Sequence, residues 1–119
     1  MATQQEWITS NILKSEWQKP LRASDLSQCF FAIKEAIEPC PEPVHILFDI
    51  RGVPSIPTQA PLHFVKSELP KQDNLGLITV IGLQAIAKIL AQMASHMSGQ
   101  PIVFFPDEDS ALAYIQENA

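Results

Sequence analysis

Any chemistry in this chain has to come from a small set of side chains. Its 119 residues offer three histidines (His45, His63 and His96) and two cysteines, Cys29 and Cys40. Nucleophilic catalysis needs a base within hydrogen-bond reach of a Ser, Thr or Cys. No Gly-x-Ser-x-Gly elbow presents such a nucleophile. Imidazole alone carries no reaction signature, so each histidine reads as a surface residue or a hydrogen-bonded structural one. The adjacent carboxylates Glu108 and Asp109 read as helix-start charges and not as an acid–base pair. A phosphate-binding loop pattern is missing, and Gly82 alone is weak evidence for one. Met93 and Met97, at helical spacing, read as core. No His or Cys spacing suits a metal. The expectation is therefore a non-enzyme that needs neither cofactor nor metal.

One acid has a telling position. Asp49 ends the apolar run Val44-His45-Ile46-Leu47-Phe48, just before Ile50-Arg51-Gly52. Pro39, Pro41 and Pro43 block a helix here and bias the chain towards extended structure. A run this continuous predicts a strand buried on both faces, central in its sheet. Gly52, Pro54 and Pro57 then end regular structure. Asp49 thus falls at a strand C-terminus, where open α/β sheets place functional groups. A turn-side acid accepting backbone N–H bonds is the more ordinary account of it.

The remaining elements fall into place around that strand. Residues 7–17 predict one or two N-terminal strands turning near Ser10-Asn11. Ser24 is the expected N-cap of a first helix, with Leu26, Cys29, Phe30, Ile33, Ala36 and Ile37 at helical spacing. Thr58 caps a second helix over 59–67, with Leu62, Val65 and Leu69 inward and Phe64 outside the stripe. Leu77 to Ile81 is a second core strand, and Gly82 turns it into a helix over 83–98. That helix buries Leu83, Ile86, Ala87, Leu90, Ala94 and Met97 and ends at Gly99. Ile102 to Phe105 is the last strand, and Asp107 caps a last helix. Strands alternating with helices predict an α/β fold with right-handed crossovers.

Composition narrows the function classes. The length suits one domain. A net charge of −5 with scattered Lys and Arg argues against nucleic-acid binding. No apolar run approaches the roughly 20 residues needed to span a bilayer. The start is polar and unlike a signal peptide. Cytoplasmic location and idle or buried thiols are expected.

The order of elements resembles the STAS domain, the fold of the anti-sigma factor antagonist SpoIIAA, over about Ile12 to Ile115. The likeness is carried by His45-Ile46-Leu47-Phe48-Asp49-Ile50-Arg51-Gly52-Val53, similar to the family's strand ending in Asp-Leu-x-Gly. Leu77 to Gly82 and Phe104-Phe105 followed by Asp109-Ser110-Ala111-Leu112-Ala113 add to it. The last pair also looks like the SpoIIAA-like group of small bacterial proteins. The resemblance implies a single STAS-like α/β domain: a mostly parallel sheet of 4–5 strands and about four helices. It departs at one functional point. Antagonist STAS domains carry Asp-Ser-Ser-Gly at the next helix start, where a serine is phosphorylated. Counted without gaps from Asp49, that motif falls on Pro57-Thr58-Gln59-Ala60, and the serine that takes phosphate falls on Gln59. Thr58 and Ser55 are the nearby hydroxyls.

Two functions follow as expectations. The first is a non-catalytic, regulatory protein-interaction module whose surface is Asp49, Gly52, Ser55, Ile56, Thr58, Gln59, Phe64 and Gly82, with Phe64 as an exposed anchor. The second is a carrier of a small lipid or nucleotide ligand, of SEC14-like character. The partner in the first case is another protein or a second copy of the chain.

Overall fold

The proline-flanked run is a strand, β3 (Val44–Gly52), and it is the middle one of five. In the computed structural model, which describes residues 2–82 and 84–119, every residue from Val44 to Ile50 is buried. The other strands are β1 (Thr3–Thr9), β2 (Ile12–Gln18), β4 (Leu75–Ile81) and β5 (Ile102–Phe105). The helices are α1 (Ala23–Ile37), α2 (Ala60–Lys66), α3 (Ala85–Ser98) and α4 (Glu108–Asn118), with a 3-10 turn at Leu69–Lys71.

The sheet runs β1-β2-β3-β4-β5. It is mixed, where a mostly parallel sheet was expected. β2–β3, β3–β4 and β4–β5 are parallel, but β1–β2 is antiparallel. Ser10-Asn11 is the reason, because a two-residue turn can only join antiparallel neighbours. From β2 onwards each crossover steps in the same direction. Right-handed crossovers then deposit all three helices on one face. There α1, α2 and α3 enclose a core with Leu13 and Trp17, with Ile46, Phe48 and Ile50, and with Ile78 and Val80. The alternate residues point the other way, as strand periodicity requires. Leu47 and Ile81 pack there against Ala111 of α4.

The helix boundaries correct two caps. α1 is capped by Arg22, and the expected cap Ser24 lies inside the helix. Asp25 reaches back instead, its Oδ2 accepting the Arg22 N–H at 2.8 Å. α2 starts after Gln59, not Thr58, with Pro61 in its first turn. Asp107 does cap α4, accepting the Ser110 N–H at 2.8 Å. Gly99 ends α3 in the left-handed region, with φ 75.

The inward faces of α2 and α3 also differ from the expected stripes. In α2 the buried residues are Ala60, Pro61 and Phe64, and Leu62 is exposed. Glu68 at φ 64 ends the helix after two turns, so Leu69 belongs to a separate turn and cannot set the helix's phase. In α3, Ala87, Leu90 and Ala94 are buried, while Ile86, Met93 and Met97 are exposed. The small side chains of Ala87 and Ala94 let the helix sit close to the sheet on that arc. The proposed start of α3 at Leu83 lies outside the described residues.

Candidate functional site

Strand pleat and pairing gather a charged cluster at the C-terminal ends of β2 and β3, on the α4 face. Asp49 and Arg51 are two apart on one strand and share that face. Glu16 of β2 pairs in register with Asp49, and Lys14 is two residues back on the same strand. Asp49 is buried, and the Arg51 guanidinium holds it with Nε 3.0 Å from Oδ1 and Nη2 2.9 Å from Oδ2. The Arg51 backbone N–H donates to the same carboxylate at 3.1 Å. These Arg51 contacts hold the Asp49 carboxyl below its ordinary range, against the opposing effect of burial. Lys14 Nζ lies 2.6 Å from Glu108 Oε1 and 3.9 Å from Asp49 Oδ2. The Glu108 contact raises the Lys14 ammonium's pKa. Each charge here lies within 4.0 Å of an opposite one, with Lys14 shared among three acids, so the cluster works as a clasp joining β2, β3 and the first turn of α4. Glu108 is therefore more than a helix-start charge.

The loop from Gly52 to Ala60, the helix that follows and the Gly82 turn were the expected working surface. The loop's polar residues are exposed as expected: Gly52, Ser55, Thr58 and Gln59 all face solvent. The two apolar contact residues expected there are not. Ile56 is 8% exposed and Phe64 is 3% exposed. Phe64 packs edge-on against Phe30, with ring centroids 5.4 Å apart, so it is core and no anchor for a partner. Gly82 is buried with φ 138, and a Cβ there would meet Ile50 Cγ1 at 2.8 Å, which explains a glycine at this turn. The Gly82 N–H donates to Phe105 O at 2.9 Å. Gln84 was missed by sequence reasoning. Its Nε2 donates to Val53 O and to Ile50 O, tying the start of α3 to the loop. A lone glutamine beside a turn gives no sequence signal for such a role.

Ile56, Ala60, Pro61 and Phe64 instead line a cavity of about 70 Å³ between α2, α3 and the sheet. Trp17, Phe48, Leu90 and Ala91 also border it, and its named lining is apolar throughout.

Cys29, Ser15 and His45 are engaged in structural contacts. Cys29 is buried, its Sγ 3.2 Å from Ser15 Oγ, and burial pushes its thiol pKa up. Ser15 also receives the Trp17 indole N–H at 3.0 Å and bonds Gln5 at 2.8 Å. His45 Nδ1 accepts the Leu77 N–H at 2.9 Å. Among the described residues, no three His, Cys, Asp or Glu side chains gather where they could hold a metal ion. Among the described residues no helix is long and apolar enough to cross a membrane.

The surface carries an apolar row. On α3, Ile86, Ile89, Met93 and Met97 are between 48% and 59% exposed. Their spacing of three, four and four residues sets them in one line along the helix. Leu62 of the neighbouring α2 is 45% exposed.

No family model, curated protein or solved structure matches the chain.

The sequence held the signal for this line, because α3 is apolar over more than one arc. It did not say which arc faces the sheet.

Proposed function

We propose that the chain is a non-catalytic, regulatory protein-interaction module of the STAS-like, SpoIIAA-like kind. The observation that carries this reading is the line Ile86, Ile89, Met93 and Met97, half exposed on a helix that already buries a separate stripe. Single exposed apolar residues are ordinary. A contiguous row on a helix that also has a filled inner face marks a contact surface. The order of strands and helices agrees with the STAS-like arrangement. The phosphate-accepting serine of antagonist STAS domains has no counterpart at Gln59, so regulation here runs through binding and not through that switch. The contact surface is thus α3 with the exposed edge of α2, and not the loop of Ile56.

A comparative pull-down from the native host tests this. The double variant Ile89→Gln, Met93→Gln should keep the wild-type unfolding midpoint, since both side chains are exposed, and should lose the proteins that the wild type captures. Retention of the same proteins by the double variant refutes the reading.

The cavity supports a second reading, binding of a small apolar ligand. At about 70 Å³ it is well below the roughly 300–1,000 Å³ of pockets that hold drug-sized molecules. It would therefore take only a very small molecule, and native mass spectrometry of the purified chain tests for one.

A further inference from the structure

We infer that β1 is a pairing edge for a second copy of this chain, joining the two sheets into one through antiparallel β1–β1 contact. The inference is independent of the reading of α3 and goes beyond it.

Backbone direction comes first. β1 is an outer strand of the sheet. The Gln18 N–H donates to Ala2 O at 2.7 Å, so Ala2 and Gln18 form a hydrogen-bonded pair. Such pairs alternate along an antiparallel ladder. Gln4 and Glu6 therefore turn their backbone groups towards Glu16 and Lys14, and those of Thr3, Gln5 and Trp7 point outwards. Among the described residues these outward groups have no backbone partner. The opposite edge is built differently. Phe105 O accepts the Gly82 N–H, so Ile102 and Phe104 are the residues of β5 that point outwards, and Pro101 and Pro106 close the strand on either side. Short length and proline are usual protections of a sheet edge. From Thr3 to Trp7 β1 has neither, and its ladder is regular until the shift after Trp7.

An apolar row also stops at this edge. Ile102, Ile78, Ile46, Leu13 and Trp7 are in-register neighbours across all five strands, on the face that carries α1, α2 and α3. Leu13 is 1% exposed, and Trp7, where the row ends, is 43% exposed.

A two-fold axis through Gln5 completes what this edge leaves open. It sets Thr3 opposite the second copy's Trp7 and Gln5 opposite Gln5, and these rungs use every outward N–H and C=O of Thr3, Gln5 and Trp7. Thr3 is buried and in register with Trp17, so the row of one chain runs on into the core of the other. Gln5 Oε1 accepts the Ser15 hydroxyl at 2.8 Å, which leaves the Gln5 amide nitrogen to the axis. Between the rungs Glu6, the one charged residue of β1, faces an uncharged Gln4. An axis through Glu6 would set two carboxylates face to face, which is unfavourable. An axis through Gln4 would take Trp7 off Thr3. A strand of another protein can satisfy the backbone, but the symmetry that meets Glu6 with Gln4 and Trp7 with Thr3 belongs to this chain. A single strand edge is a small interface, below roughly 1,200 Å² in total, so the dimer is expected to be weak.

Sedimentation of the full chain from about 1 μM to about 200 μM spans the affinities of weak complexes and should show a concentration-dependent dimer. Hydrogen exchange read residue by residue should show the Gln5 and Trp7 amides protected at the high concentration and open at the low one. Gln4 is exposed, so its variants should keep the fold, which unfolding midpoints check. Gln4→Lys sets a lysine opposite Glu6 at two symmetric places and should tighten the dimer about fivefold; Gln4→Glu sets a second carboxylate there and should weaken it about fivefold. Equal dissociation constants for the two variants overturn the register and the proposal with it. A monomer throughout the range overturns the proposal as well. So does a dimer that Ile89→Gln, Met93→Gln dissolves while the β1 amides stay open, since its interface is then α3. Protection of Gln5 and Trp7 in a monomeric chain, seen only with the proteins of the pull-down, gives the edge to a different partner and overturns self-pairing. None of these results depends on whether α3 captures a protein, so the two readings fail separately.

Discussion

Arg51 grips the Asp49 carboxylate through two nitrogens, at 3.0 and 2.9 Å, and the two residues are unequally buried. The Asp49 side chain is 6% exposed and that of Arg51 is 50% exposed. The pair is therefore asymmetric to mutation. Arg51→Met leaves a buried carboxylate whose nearest remaining cation is Lys14 Nζ at 3.9 Å. A loss of about 2 kcal/mol is expected, below the roughly 3–5 kcal/mol for a fully buried pair because Arg51 is half in water. Asp49→Asn leaves an arginine free to hydrate and should cost about 1 kcal/mol. The double variant should be less destabilised than the sum. The pH dependence has a definite sign. Arg51 depresses the folded-state pKa of Asp49, so its stabilisation is present above about 3.9, the ordinary Asp value, and is lost as pH falls through the lower folded value. In Arg51→Met, acid unfolding should begin at higher pH. Urea melts between pH 7 and pH 3 check this; equal losses with strict additivity would count against it.

Phe64 belongs to an aromatic cluster in which Phe30 touches Trp17, Phe48 and Phe64, with centroids 5.4 to 6.1 Å apart. Phe64→Ala should cost about 3–5 kcal/mol, the usual range for a buried aromatic. Ile56→Ser, which also places a hydroxyl in an apolar wall, should be strongly destabilising too. Thermal unfolding by circular dichroism measures both. Midpoints within a few degrees of wild type would show these side chains to be dispensable to the core.

The strands were largely legible in the sequence because their signals are local. Prolines 39, 41 and 43 bound β3, its apolar run announces two-sided burial, and Gly82 and Gly99 mark real turns. The parity of β3 even separates the two faces, with Phe48 against the helices and Asp49 against α4. Helix phase was harder to read. In α2, a helix of two turns gives too few residues to define a stripe, and Leu69 fell in a separate turn. In α3, Ile86 and Ala87 are neighbours in sequence and both apolar, but only the smaller one lets the backbone approach the sheet. Phe64 was misplaced as an exposed anchor for the same reason, since it counts as exposed only if Leu62 is buried. The Lys14–Glu108 ion pair spans 94 positions, and no local pattern predicts it.

His45 offers a second pH-dependent test. It is buried on the α4 face, and its Nδ1 accepts the Leu77 N–H at 2.9 Å, which requires that nitrogen to be unprotonated. Burial lowers its folded-state pKa. The unfolded chain therefore binds the proton more readily below about 6.5, and stability should fall as pH drops from there through the lower folded value. His45→Asn, which keeps an acceptor without the titration, should flatten the change in urea midpoint between pH 7.5 and pH 5. An unaltered slope would assign the effect to other groups. The ring also explains Gly76, where a Cβ would lie 2.6 Å from His45 Cε1 and 3.2 Å from Val44 O. Gly76→Ala should cost about 1–3 kcal/mol through overpacking.

The cavity beneath α3 yields the last prediction, and it separates a packing void from a ligand site. Ala91 lines a space of about 70 Å³ and is itself only partly buried, so a longer side chain there has both room and an exit. Methionine is unbranched and adapts to irregular gaps. Ala91→Met should therefore raise stability by about 0.5–1.5 kcal/mol, the usual gain from filling a cavity. Leu90→Ala, which enlarges the same space, should cost about 2–5 kcal/mol. Denaturant melts of the two variants give opposite shifts if the space is a void that packing left unfilled. A destabilised Ala91→Met would show that the walls cannot yield. If native mass spectrometry of the wild type shows a bound small molecule that disappears in Ala91→Met, the space is a binding site, because a side chain filling a void has nothing to displace.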